Sequence, residues 1–87
     1  MKKNKIYLKI IKILEKISRK KVSDNLQKIN FNYIEEGFID SLNFIEFIFE
    51  IEDQYKIQFS QKELSSRNLK KIYSLSQIIN KKINKHE

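Results

Sequence analysis

The residues of this chain that could do chemistry lie in the segment Gly37-Phe38-Ile39-Asp40-Ser41-Leu42. Ser41 supplies a hydroxyl group, and it follows Asp40 at the start of an apolar and acidic run, Leu42 to Tyr55, with helical periodicity. The Asp40 carboxylate is predicted to cap this helix by accepting hydrogen bonds from backbone N–H groups one turn in. Ser41 would then lie in the first turn, where unpaired N–H groups and the helix dipole stabilise an anion such as a phosphodiester. The start of this helix is therefore predicted to stabilise an anion attached to Ser41.

The sequence offers no group that would activate Ser41 as a nucleophile. The one histidine, His86, is next to last and is expected to be a solvated terminal residue. The acidic residues match neither an EF-hand loop nor a carboxylate pair with an evident catalytic role. The chain contains no cysteine, which excludes disulfides, cysteine zinc sites and a thiol of its own. We therefore expect no enzyme activity and no metal site, and any base must come from a partner.

Length and composition predict a small helical protein. The 87 residues, 40% of them hydrophobic, allow a single domain over residues 1–87 with one modest core. One glycine and no proline leave few helix breakers. Lysine or glutamate interrupts every apolar stretch, so no transmembrane helix is expected. The lysine-rich start lacks the apolar core and cleavage site of a signal peptide, so we expect a cytoplasmic protein.

The net charge of +7 is unevenly distributed along the chain. Residues 1–21 carry nine Lys or Arg and one Glu, and residues 64–87 carry six and one. Residues 22–63 carry three Lys against nine Asp or Glu. A basic chain would ordinarily suggest nucleic acid or an anionic membrane as partner. The acidic middle coincides with the Ser41 segment, which weakens that interpretation.

The periodicity predicts four helices, three long and one short, in an all-α bundle. The first runs from about Asn4, a plausible N-cap, to Lys20, and a long packed-down connection follows over residues 21–39. The second runs from Ser41 to about Gln54. Capping-box patterns at Ser60–Glu63 and Ser74–Gln77 are predicted to open a short helix and the last helix, with a link over Arg67–Ile72 between them.

The second helix is apolar on two sides. One stripe, predicted to face the core, is Phe44, Phe47, Ile48, Ile51 and Tyr55. The other stripe is Leu42, Ile45 and Phe49, flanked by Glu46, Glu50 and Asp53. Such a second stripe is either more core or a docking surface, and core is the commoner outcome. We expect these three apolar residues to be at least partly exposed.

The chain resembles the acyl carrier protein family over nearly its whole length. The similarity rests on the helix order, on Asp40-Ser41-Leu42, on the spacing of Glu46 and Glu50, and on the ending Glu52-Asp53-x-Tyr55-x-Ile57. The glycine four residues before Ser41 more closely resembles stand-alone carriers of the D-alanyl carrier type. So does Ser65-Ser66-Arg67-Asn68-Leu69 leading into Ser74-Leu75. The basic ends and the three phenylalanines of the second helix differ from the usual family pattern.

The resemblance implies an acyl-carrier-protein-like four-helix bundle with a 4'-phosphopantetheine arm on Ser41. A phosphopantetheinyl transferase would attach the arm from coenzyme A, and its thiol would hold an acyl or aminoacyl group as a thioester. An adenylate-forming ligase or a synthase would load this group and an acyltransferase would remove it. Partner docking would involve Leu42, Ile45, Glu46, Phe49, Glu50 and Asp53. We expect a monomer that neither binds nucleic acid nor inserts stably into membranes.

Two alternatives stay open from the residues themselves. Asp-Ser before a helix is common on capping grounds alone, so Ser41 could be an ordinary helix serine. The chain could instead be a small basic helical module that binds nucleic acid or an anionic membrane through the first helix. We expect the isoleucine stripe of that helix to be core and its lysine stripe to face water. The cargo and the pathway, whether fatty acid, polyketide, cell-envelope aminoacylation or sugar modification, are open.

Overall fold

The computed structural model describes the backbone of residues 2–85 and the side chains of residues 5–84. Five α-helices and a 3₁₀ turn follow one another: α1 (Lys2–Ser18), α2 (Asp24–Gln27), α3 (Ser41–Tyr55), α4 (Gln61–Leu64), the 3₁₀ turn (Arg67–Lys70) and α5 (Ile72–Lys85). This described part is all-helical, as predicted, with one isolated β-bridge between Asn32 and Lys71. None of its helices is long and apolar enough to cross a membrane. His86 and the proposed capping side chain of Asn4 lie outside the described residues.

Helix α1 begins and ends about two residues earlier than predicted. It ends at Ser18 because Arg19 adopts a positive φ of 60° while its N–H still donates to the Glu15 carbonyl. The isoleucine stripe is core, as predicted: the buried side chains are Ile6, Tyr7, Ile10, Ile11, Ile13 and Leu14. They join one cluster with Phe47, Ile48, Ile51 and Ile79 of α3 and α5. The lysine stripe, Lys5, Lys9, Lys12 and Lys16, is exposed.

Helices α1 and α3 run antiparallel. The Lys20 ammonium just after α1 donates to the Gly37 carbonyl at 2.9 Å, four residues before α3 begins. Near the other end, the Lys9 ammonium lies 5.5 Å from the centroid of the Tyr55 ring, the last residue of α3. The segment that leads to Ser41 is therefore attached to the end of α1.

The connection over residues 21–39 is packed down, as predicted, but it contains a helix that was not predicted. Ser23 caps the four-residue α2 by accepting from the Leu26 N–H. The Tyr7 and Tyr73 hydroxyls both donate to the Gln27 carbonyl, tying α2 to α1 and α5. The prediction of three long helices and one short one is therefore wrong in its count, because α2 and α4 are both short.

Helix α5 begins at Ile72, so the prediction that Ser74 opens it is wrong. The cap comes from a residue that is distant in the sequence: Asn30 Oδ1 accepts from the backbone N–H groups of Tyr73 at 2.7 Å and Ser74 at 3.3 Å. The Ile72 N–H donates to the Phe31 carbonyl at 3.0 Å. Because Asn30 already satisfies these donors, Ser74 lies inside the first turn rather than ahead of it.

The capping box at Ser60 and Glu63 is confirmed. The Ser60 hydroxyl accepts from the Glu63 N–H, and the Glu63 carboxylate accepts from the Ser60 N–H at 2.8 Å. The same carboxylate forms an ion pair with Lys82 of α5 at 2.8 Å. Burial alone would raise the pKa of the Glu63 carboxyl, but the hydrogen bonds from Lys82 and Ser60 together lower its pKa.

Candidate functional site

The start of α3 has the capping geometry that the sequence predicts. Asp40 has extended backbone angles, φ −96° and ψ −177°, and precedes the first helical residue, Ser41. Its Oδ1 atom accepts from the N–H groups of Leu42 at 3.0 Å and Asn43 at 2.9 Å. The first backbone bond of the helix runs from the Phe44 N–H to the Asp40 carbonyl at 2.9 Å. Asp40 is therefore the cap, and Ser41 lies in the first turn with no capping role.

Ser41 is exposed, and its hydroxyl forms no hydrogen bond with any described residue. The sequence-based expectation that unpaired N–H groups surround it needs a correction. The Asp40 carboxylate occupies the N–H groups of Leu42 and Asn43, and among the described atoms only the N–H of Ser41 itself is left without an acceptor in the first turn. An anion on Ser41 would therefore receive less direct hydrogen bonding from the helix than predicted, and it would lie near the Asp40 carboxylate.

A tight turn brings the chain to this cap. Gly37 has a positive φ of 84°, a conformation that other residues adopt only with strain, and its N–H donates to the Ile34 carbonyl at 3.0 Å. A Cβ atom built on Gly37 would meet nothing within 4 Å, so backbone conformation rather than space requires a glycine here. The next N–H, that of Phe38, donates to the Tyr33 carbonyl. Tyr33 is fully buried, and its hydroxyl donates to the Leu69 carbonyl.

Two grooves border Ser41. The first, of about 500 Å³, lies between the start of α3, the loop before it and the segment after α4, and it is lined by Asn32, Ile34, Glu35, Ser41, Phe44, Leu64, Ser65 and Lys70. The second, of about 470 Å³, lies on the side of the Gly37 turn and is lined by Ile34, Gly37, Phe38, Ile39, Asp40, Ser41 and Asn43. A modification on Ser41 therefore has space on either side of the helix end.

The outer face of α3 is apolar and acidic, and it begins next to Ser41. Leu42 is 82% exposed, Ile45 43% and Phe49 64%, which confirms the prediction that this stripe is exposed. The opposite stripe is buried at Phe44, Phe47, Ile48 and Ile51. We call the outer surface the acidic face of α3; its residues border one shallow groove of about 600 Å³ and are Leu42, Ile45, Glu46, Phe49, Glu50 and Asp53.

The carboxylates of the acidic face are only weakly neutralised. Asp53 pairs with Lys56 at 3.8 Å, and both side chains are at least 80% exposed, so this pair contributes little. Glu46 and Glu50 accept hydrogen bonds from neutral amides of their own helix. The described residues include no cluster of three ligand-type side chains that could hold a metal ion. The acidic face is therefore a negative surface with apolar residues at its centre.

Comparisons with protein-family models, with curated proteins and with solved structures found no match to this chain. The interpretation of the site therefore rests on its own residues and geometry.

The structure adds one residue that sequence reasoning missed. Lys70 lies 29 positions after Ser41 in the chain, but both residues line the same groove. Its ammonium is 6.0 Å from the centroid of the Phe44 ring, and Phe44 is one turn after Ser41 on α3. The sequence treats Lys70 as part of a link between helices and gives no signal of this proximity, because the fold of residues 56–70 creates it.

Proposed function

We propose that this chain is an acyl or aminoacyl carrier protein with an acyl-carrier-protein-like bundle. In this proposal Ser41 holds a 4'-phosphopantetheine arm taken from coenzyme A. One observation supports it above the others: an exposed serine hydroxyl, free of any capping role, lies at the start of a helix whose outer face is apolar, acidic and exposed. The same pattern of residues carries the resemblance to the family.

The residues at the start of α3 fit such a group. Because Asp40 and not Ser41 satisfies the helix donors, a bond formed at the Ser41 hydroxyl leaves the cap intact. The two grooves give the attached group room. When bound, the arm supplies a thiol that can hold an acyl group as a thioester, and the chain lacks cysteine for this purpose.

Ser41 would form one new bond during attachment. Its Oγ atom attacks the phosphorus of coenzyme A that bears the pantetheine, the pyrophosphate bond breaks, and 3',5'-ADP leaves. The hydroxyl proton would go to a base of the transferase. Among the described residues that line the grooves beside Ser41 there is no histidine, and the carboxylates belong to Glu35 and the capping Asp40. The chain is thus the acceptor in this reaction, and the transferase is the enzyme.

The acidic face of α3 would contact the partners. Exposed Leu42, Ile45 and Phe49 provide apolar anchors next to the arm, and the acids around them favour enzymes with a basic patch. Those partners are the transferase, an adenylate-forming ligase or synthase, and an acyltransferase. A shared face beside the attachment point lets one helix present the same group to each of them in turn.

The burial of α1 counts against the alternative of a basic membrane-binding module. Basic helices that lie on membranes bury their apolar side in the lipid. In this chain that side of α1 packs on α3 and α5, and Leu8 is the large apolar residue of α1 that stays exposed, at 52%. Lipid binding by α1 through its isoleucine stripe would therefore require the core to open.

The direct test is modification of Ser41. Apo protein is incubated with a promiscuous phosphopantetheinyl transferase and coenzyme A, and intact mass is measured. We expect one added phosphopantetheine in the native chain and none in Ser41→Ala, whose circular dichroism should be unchanged because Asp40 is the cap. Ser65→Ala, which borders the same groove, is the matched control and should be modified normally. An unmodified native chain, or modification of Ser41→Ala, would refute the proposal.

A further inference from the structure

The groove between Ser41 and Lys70 contains a single cation among its described lining side chains, and that cation is Lys70. No carboxylate of the described part lies within ion-pair distance of this ammonium, although Glu35 lines the same groove. The side chain is partly buried, with its ammonium 6.0 Å from the Phe44 ring. Lys70 is therefore a positioned positive charge that has no acidic partner among the described side chains.

The backbone around Lys70 is anchored. Its carbonyl accepts from the Tyr33 N–H at 3.2 Å, and the preceding residue, Leu69, is fully buried. The Leu69 carbonyl accepts from the Tyr33 hydroxyl. Burial raises the pKa of the Tyr33 phenol far above its ordinary value, so this hydroxyl keeps its proton and remains a donor. The position of Lys70 relative to α3 is consequently set by core contacts, not by a free loop.

The start of α3 needs such a charge if Ser41 carries a phosphodiester. Two of the first-turn N–H groups donate to the Asp40 carboxylate, so the helix end already holds one anion. A second anion beside it would be repelled unless a cation compensates. Phe44, which lies beneath the Lys70 ammonium, is three residues after Ser41, and residues at this spacing share one side of a helix.

We propose that Lys70 binds the phosphodiester of the arm on Ser41 and directs the arm into the groove that these two residues line. This inference rests on the proposed function. Lys70 would act as a positioning residue: its ammonium offsets the negative charge of the Asp40 carboxylate and holds the first bonds of the arm on the side of Phe44. The arm would leave the helix end along one groove instead of rotating between two.

The competing cation is Lys20, on the side of the second groove. Its ammonium donates to the carbonyl of Gly37, which lines that groove. This hydrogen bond uses one of the three N–H donors of the Lys20 ammonium to hold the turn, whereas the Lys70 ammonium lies over an aromatic ring and keeps all three donors available among the described residues. The geometry therefore favours Lys70, and a variant of Lys20 separates the two.

The test compares the midpoint of thermal unfolding of each variant before and after phosphopantetheine is attached to Ser41, a step that we call loading. Unfolding is followed by circular dichroism at low ionic strength. The variants are Lys70→Met, which keeps the aliphatic chain, Lys70→Arg, which keeps the charge, and the controls Lys71→Met and Lys20→Met. Subtracting the unfolding midpoint of the unloaded protein from that of the loaded protein gives the effect of the arm on stability. We expect this value to be lower by about 3 °C in Lys70→Met than in the native protein, and to be native-like in Lys70→Arg, Lys71→Met and Lys20→Met. High salt should reduce the difference between native and Lys70→Met proteins.

A second measurement requires no variant. On loading, the side-chain resonances of Lys70 should shift in the native protein, and those of the exposed neighbour Lys71 should not. A third measurement uses the variant: the phosphorus resonance of the arm should differ between native and Lys70→Met proteins.

The outcomes separate the two proposals. Ser41 that cannot be loaded overturns the carrier function and this inference together. Ser41 that loads, with equal midpoint differences and an unshifted Lys70, overturns only the role of Lys70. A midpoint difference lost in Lys20→Met instead would place the arm in the second groove.

Discussion

Two phenylalanines of α3, two positions apart, allow a matched test of the core and of the acidic face. Phe47 is fully buried and Phe49 is 64% exposed. Replacing a buried phenylalanine by alanine costs about 3–5 kcal/mol through lost burial and the cavity left behind. Small domains have free energies of unfolding of only about 5–15 kcal/mol, so Phe47→Ala should lose a large share of its stability.

The same substitution at Phe49 should be nearly neutral. Full burial of a phenylalanine contributes about 1.5–3 kcal/mol, and Phe49 is about one third buried, so roughly 0.5–1 kcal/mol is lost. Alanine is the better helix former by about 0.5 kcal/mol, which offsets most of this loss. Urea unfolding followed by circular dichroism should therefore give Phe49→Ala a midpoint close to that of the native protein.

Phe49→Ala should slow loading of Ser41 by the transferase more than Phe47→Ala does, although Phe47→Ala is the more destabilising substitution. If Phe49 anchors the docked transferase, its truncation should cost about 2 kcal/mol of transition-state binding, or roughly 30-fold in kcat/KM for the carrier. Loading is measured by intact mass at a temperature where both variants are folded. Equal destabilisation by the two substitutions would contradict the exposure of Phe49. Native-like loading of Phe49→Ala would contradict its role in docking.

Three other perturbations test the acidic face, α1 and the Glu63 ion pair. Glu46→Lys should slow loading several-fold while changing the free energy of unfolding by only about 0.5 kcal/mol, measured by mass and by urea unfolding. Deletion of residues 1–20 should unfold the chain, with a loss of helical circular dichroism well beyond the deleted share, because α1 supplies much of the core. The pKa of Glu63 is lowered in the folded protein, so its ion pair stabilises above the ordinary value near 4.5 and is lost as pH falls through the folded value. The stability difference between native protein and Lys82→Met should therefore shrink in acid.

The sequence was sufficient to predict those features of the fold that depend on contacts between residues close together in the chain. The cap of α3 involves Asp40 and the two residues that follow Ser41, and the capping box of α4 spans four residues. The stripes of α1 and α3 follow from helical periodicity alone. Periodicity alone left the second stripe open between core and docking surface, and the acids beside Leu42, Ile45 and Phe49 favoured the exposure that the structure shows.

The sequence was insufficient to predict those features of the fold that depend on contacts between residues far apart in the chain. Helix α5 begins two residues before its predicted start because its cap, Asn30, lies more than 40 positions away. Helix α2 has only four residues, too few for periodicity to be visible, and tyrosine hydroxyls of α1 and α5 hold its end. The proximity of Lys70 to Ser41 likewise depends on the buried Tyr33 and Leu69, which join the two segments.

The basic ends and the acidic face act over different distances. The chain has a net charge of +7, but the acidic face carries three carboxylates. Among the described residues only one of them, that of Asp53, forms an ion pair, and its partner is Lys56. At an ionic strength of about 0.01 M, charges are screened over about 30 Å, similar to the 34 × 29 × 20 Å extents of the protein. At about 0.15 M the screening length is about 8 Å, so a partner facing α3 experiences mainly the acidic face.

The loading rate should therefore pass through a maximum as salt is raised. At the lowest salt a basic partner is repelled by the whole positive chain, and moderate salt removes this repulsion while leaving the attraction by the acidic face. Higher salt then screens that attraction and slows loading. Measuring kcat/KM for the carrier from about 0.01 to 1 M sodium chloride tests this prediction. In Glu46→Lys the decrease of kcat/KM at higher salt should be smaller than in the native protein. A rate that only rises with salt would mean that the acidic face does not attract the partner, and a rate that only falls would mean that the basic ends never oppose it.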